Sequence, residues 1–116
     1  MPGISIHVMD VSRGVVARGM QVEVFSLTPE RRRIAGGAIT EHGTLNDAAL
    51  TGTFAAGFYE AVFYIAQYYK SESIPLPSTP FLDVVTYRFG IADPRQHYHL
   101  PFKMTPWGYS CFRGGA

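Results

Sequence analysis

Cysteine is almost missing from this chain: of 116 residues, only Cys111 carries a thiol. A disulfide within the chain is thereby excluded, as is a zinc knuckle built on thiolates, and a reducing compartment fits. Net charge is just as scarce, with ten basic residues against nine acidic for a formal +1. The basic run Arg31-Arg32-Arg33 is too short for an electrostatic footprint on nucleic acid, which is therefore not expected as a partner. No stretch approaches the roughly 18 uninterrupted apolar residues of a membrane span. The opening Met-Pro-Gly-Ile-Ser-Ile-His-Val has no charged segment leading into an apolar run. These absences predict a soluble, cytoplasmic protein without a membrane partner. Helical patterning is confined to about Ala66 to Ser71, one or two turns that need tertiary support.

What the chain does have is apolar and β-forming material, 47% hydrophobic with 14% aromatic, enough for one packed core over residues 1–116. Ile4, Ile6 and Val8 alternate with Ser5, His7 and Met9; Val22 and Val24 alternate with Glu23 and Phe25. Such period-2 runs are strands. Further β-rich runs cover Arg33 to Thr40, Phe58 to Ile65, Val84 to Ala92, His97 to Met104 and Trp107 to Arg113, and a short strand near Thr51 to Phe54 makes eight. Gly36-Gly37, His42-Gly43, the prolines at 75, 77 and 80, and Asp93-Pro94 punctuate them. The pattern is all-β, a two-sheet sandwich of about eight strands with one short helix.

Because side chains on a strand alternate faces, His7 leaves the face that carries Ile4, Ile6 and Val8. The same parity puts His97 and His99 together, opposite Tyr98 and Leu100. Histidines so placed suit a His-x-His metal site or a general acid/base pair, since neutral imidazole serves both near neutral pH, and they equally suit a solvated face without chemistry. His42 reads as a turn residue. Ser110 and Cys111 are the candidate nucleophiles, but neither stands in a nucleophile-elbow pattern, and a lone cysteine is more often a small buried hydrophobe. The glycines form no phosphate-cradling loop.

Longer runs are more specific. Residues 92–101, ADPRQHYHLP, and 105–114, TPWGYSCFRG, resemble the "ADPxQHYHVP…SPYGYSTYRGS" ending of the 5-hydroxyisourate hydrolases, the transthyretin-related proteins of purine catabolism. Ile6 to Asp10 resembles that family's "THVLD", Gly19 to Val24 its "GVPVEL", and Phe81 to Phe89 its "FFPEVTVTF". The resemblance spans the whole chain, with a divergent middle from about Arg31 to Ala55. It implies a transthyretin-type sandwich, a homotetramer with active sites between dimers, and hydrolytic opening of the six-membered ring of 5-hydroxyisourate with no metal or organic cofactor. Position by position, His7 and His99 match the family's catalytic histidines, and Arg113 matches the arginine of its terminal Tyr-Arg-Gly-Ser.

Three positions depart from that pattern. The arginine of the family's "ADGR" falls at Thr44, followed by Leu45, and the terminal tetrapeptide reads Phe112-Arg113-Gly114-Gly115, without the tyrosine and serine hydroxyls. Each change removes polarity, and Leu45 adds apolar surface. A site for ring N–H groups uses a cation and hydroxyls, whereas N-methyl groups need apolar volume. The departures at Thr44, Phe112 and Gly115, with Leu45 beside the first, therefore predict an N-methylated, trimethyl 5-hydroxyisourate such as methylxanthine oxidation yields, with the unmethylated compound or non-enzymic ligand binding as alternatives. Lys103, on the parity of His99, is a candidate replacement for the missing cation.

Overall fold

The structure, a computed structural model, describes residues 2–115. Eight strands fall in two four-stranded sheets: β1 (Gly3–Asp10), β2 (Val15–Val16), β7 (His97–Thr105) and β8 (Gly108–Cys111) in the order β2-β1-β7-β8, and β3 (Gln21–Ser26), β4 (Arg32–Ala38), β5 (Gly57–Tyr64) and β6 (Val84–Ile91) in the order β4-β3-β5-β6. One helix, α1 (Ile65–Ser71), follows β5 directly. The expected architecture is present, with one strand relocated. Thr51 to Phe54 forms no strand. A 3-10 helix, Ala48–Thr51, enters that region because the Asp47 carboxylate accepts from the Ala49 and Gly36 amides, which fixes a tight turn instead of an extended run. The eighth strand is Val15–Val16, which folds back on Met9 and Asp10 across a turn closed by Gly14 at φ +70°.

Alternation packs the sandwich. Ile4, Ile6 and Val8 of β1 and Tyr98, Leu100, Phe102 and Met104 of β7 point inward against Val22, Val24, Tyr59, Ala61 and Phe63 of the other sheet. The Phe63 and Phe102 rings stack across the interface with centroids 3.8 Å apart. This inward set is what obliges the intervening residues of β1 and β7 to face outward.

At one end, the fully buried Asp10 ties the helix to the first sheet. Its carboxylate accepts from Ser12 Oγ (2.6 Å), Arg13 Nε (2.9 Å) and Tyr69 Oη (2.8 Å). Burial pushes this carboxyl up, but the hydrogen bonds from Ser12, Arg13 and Tyr69 outweigh it and hold Asp10 below its ordinary range. Among the described residues no helix is long and apolar enough to cross a membrane.

Candidate functional site

β1 and β7 lie side by side in parallel, with Gly3 against His97, Ser5 against His99, His7 against Pro101 and Met9 against Lys103. Residues paired across a sheet share a face, so Ser5, His7, Met9, His97, His99 and Lys103 stand together on the outer surface. The ladder runs unbroken through Pro101, so Lys103 keeps the parity of His99. His7 and His99 are diagonal neighbours, about 8 Å apart at their backbones from the usual strand spacing and rise. All three histidines are half-buried, and the surface above them is open.

Two further segments frame this face. The turn Thr40 to Thr44 closes against β1: Val8 N donates to Gly43 O (2.8 Å), Leu45 N donates to Ile6 O (3.1 Å), and Thr44 bridges His7. The residue at the family's arginine position is thus the direct cross-strand neighbour of His7. Gly43, at φ +83°, lies so close to the His7 ring that a Cβ there would stand 2.6 Å from His7 Nε2. On the other side the tail after β8 continues along β7, and Gly114 N donates to His99 O (2.7 Å). A Cβ on Gly114 would meet His99 Cδ2 at 2.8 Å, so this glycine lets the tail buttress the ring.

The other candidates separate. Continuing the β7–β8 register through the Gly114–His99 bond puts Phe112 opposite Pro101, on the histidine face, where it is exposed. Arg113 takes the other parity. Its guanidinium lies over the Tyr98 ring, 4.0 Å from the centroid, and donates to Gln96 Oε1 (3.0 Å) and His97 O (3.2 Å), so its side chain does not join His7 and His99. Leu45 is buried in the core at 7% exposure and touches the face only through a recess of about 220 Å³ that it shares with Ser5, Thr44 and His97. The apolar surface expected of it is largely spent inside the sandwich. Gly115 stands in open space, and His42 is an exposed turn residue beside Glu41.

Sequence reasoning passed over Ser5. Its hydroxyl sits 2.7 Å from His97 Nε2 and 2.7 Å from His99 Nδ1, between the two rings. Strand parity alone places Ser5 beside His7; its meeting with β7 depends on a pairing some ninety residues away in the chain and was not legible.

Burial, with His7 and His97 nearby, pushes His99 below its ordinary value, so it is neutral at neutral pH and has a lone pair to use. Burial pushes the Cys111 thiol up to about 11, which leaves no thiolate to attack. Ser110, opposite Lys103, has no histidine partner among the described residues. Nor does any group of three or more His, Cys, Asp or Glu among them stand in metal-holding geometry; two of the histidines are engaged on Ser5. The face thus offers imidazoles suited to activating water beside a concave edge.

Known proteins carry the same framework. A 5-hydroxyisourate hydrolase of Deinococcus radiodurans is 41% identical over 115 residues, covering 97% of this chain and 96% of that protein. One from Ralstonia nicotianae is 36% identical over 116 residues, covering 98% and 99%. Among solved structures, (S)-allantoin synthase matches with a TM-score of 0.88 at 30% identity, over 97% of this chain but 43% of that longer one. Klebsiella pneumoniae 5-hydroxyisourate hydrolase matches with a TM-score of 0.81 at 24% identity over 99% and 100%, a likeness of fold. A family model described as HIUase/Transthyretin matches residues 4–114, and with these relatives across nearly its whole length the chain belongs to that family.

Proposed function

We propose that this protein is a cyclic amide hydrolase that opens the six-membered ring of 5-hydroxyisourate in urate catabolism. The observation that carries the reading is the convergence of His7 and His99 on one outer face, in a chain whose relatives bear that activity in their names. In the reaction, a water held by the two imidazoles loses a proton to one of them as its oxygen bonds to the ring carbonyl carbon. The ring C–N bond then breaks, and the departing nitrogen takes up a proton, so the site returns to its starting state. Arg113 acts through the tail: its stack on Tyr98 and its two hydrogen bonds hold the segment whose Gly114 supports His99. No metal or organic cofactor enters this sequence of steps.

An open sheet face is a poor place to exclude water from a hydrolytic site. We therefore include in the proposal a homotetramer in which a second subunit covers this face, the whole chain acting as one hydrolase unit in the cytoplasm. Light scattering should give a tetramer; a stable monomer with full activity would remove the interface site.

The N-methylated substrate is the second reading. Thr44 beside His7 and Phe112 on the same face favour it by their lack of charge, but the burial of Leu45 takes away one wall of the methyl pocket, and the relatives named above are hydrolases of the unmethylated compound. The unmethylated substrate is the one we favour. The test is a side-by-side assay of 5-hydroxyisourate and its trimethyl analogue, each made in situ by oxidising the corresponding urate. Higher kcat/KM with the unmethylated compound is expected; at least tenfold preference for the trimethyl compound would reverse the assignment, and no turnover of either would leave a ligand-binding protein.

A further inference from the structure

Ser5 is one hydroxyl placed between two imidazole nitrogens, and it has a single proton to give. If it donates to one ring, the other ring must donate to it. The direction is set at the far end of the chain of contacts, where His97 Nδ1 approaches Pro2 O at 3.4 Å. A carbonyl oxygen only accepts, so His97 carries its proton on Nδ1 and presents a lone pair at Nε2. Ser5 O–H therefore donates to His97 Nε2, and Ser5 Oγ accepts from His99 Nδ1–H. The reverse arrangement would set the lone pair of His97 Nδ1 against the lone pairs of Pro2 O.

From this geometry we infer that Ser5 is a positioning residue that, backed by His97, fixes the tautomer of His99 so that its Nε2 is the unprotonated nitrogen presented to the open face. The inference deepens the proposed hydrolysis and rests on it for its catalytic meaning: His99 Nε2 is the base that takes the proton from water. It also gives His97 a role as the anchor of the relay. The tail contributes from the opposite side, since Gly114 packs on His99 Cδ2 and keeps the ring from swinging out of line with Ser5. The titratable groups near His99 are His7 from β1 and His97 from its own strand; Lys103 shares the face but stands four residues further along β7, and the Arg113 guanidinium lies across the sheet over Tyr98.

The test has two independent readouts. Long-range ¹⁵N–¹H NMR of the imidazoles in the intact protein at neutral pH should show His99 protonated at Nδ1 and bare at Nε2. A bare Nδ1 in the wild-type protein would overturn the inference. Kinetics of Ser5→Ala should show kcat reduced about 10- to 100-fold, as when a group orienting a functional imidazole is removed, with KM nearly unchanged. Its acid limb should move to lower pH, because the Oγ acceptor that favours the His99 imidazolium is gone. Ser5→Thr, which keeps the hydroxyl, should restore both; a loss caused by misfolding would not be rescued in this way and would leave the acid limb in place. Full kcat in a folded Ser5→Ala protein would also overturn the inference. If the protein turns over no hydroxyisourate at all while His99 is found protonated at Nδ1, the hydrolase reading fails and the tautomer assignment stands.

Discussion

Replacing Gly43 by alanine probes whether the His7 ring stands where the chemistry needs it. The new Cβ would lie 2.6 Å from His7 Nε2, 3.1 Å from His7 Cδ2 and 2.8 Å from Val16 Cγ1. Ordinary contact begins near 3.4 Å, so the imidazole must retreat by about 0.8 Å or the turn must open. A shift near 1 Å in a reacting group costs about 10²-fold in rate, which is the expected fall in kcat. The substitution also forces a β-carbon onto a backbone at φ +83°, a strain of about 1–2 kcal/mol that should lower Tm by several degrees. Gly14→Ala separates the two effects, because Gly14 has φ +70° with nothing within 4 Å of its Cβ. It should lose a similar margin of stability and keep its kcat. Stopped-flow ultraviolet decay of freshly generated 5-hydroxyisourate, alongside thermal melts, measures both. If Gly43→Ala melts lower but turns over at the wild-type rate, the His7 ring takes no part in the reacting geometry.

Other consequences are as direct. The acid limb of kcat/KM should fall below pH 6.5, because burial and the neighbouring His7 and His97 lower His99 from that ordinary value; a midpoint above it would assign the base elsewhere. Asp10→Ala should destabilise the fold by about 3 kcal/mol in denaturant titrations, since it strips the buried Tyr69 hydroxyl and Ser12 of their acceptor and removes the buried partner of Arg13. Because the Asp10 carboxyl is held below its ordinary 3.8, its contribution is complete above that pH and disappears as pH falls through the folded-state value, so acid unfolding of the variant should lose part of its steepness in that range. Thr44→Arg should raise kcat/KM for 5-hydroxyisourate about tenfold, the worth of one charge-assisted hydrogen bond beside His7, and should not do so for the trimethyl analogue.

Alternation made much of this legible from the sequence. Ile4, Ile6 and Val8 against Ser5 and His7, and Tyr98 and Leu100 against His97 and His99, assign faces from neighbours in the chain, and the structure keeps both assignments. What alternation does not carry is which strands meet. The parallel pairing of β1 with β7 is the longest-range contact in the sheet, and the Ser5 contacts exist only because of it. Val15–Val16 escaped because two residues show no period, and Thr51 to Phe54 misled because Thr51 ends the 3-10 helix that Asp47 caps and Gly52 closes it, which leaves too short a run to pair. Arg113 shows the same limit from another side. Its motif is local, but its parity is set by the register of the tail on β7, which turns the guanidinium to Tyr98.

The central claim is that His7 and His99 together open the hydroxyisourate ring. It is tested most directly by the kcat of His7→Ala and His99→Ala on 5-hydroxyisourate, with folding and tetramer verified for each protein. Each should fall about 10²- to 10⁴-fold, the range for loss of a general acid or base. Both variants retaining most of the wild-type kcat as intact tetramers would contradict the account.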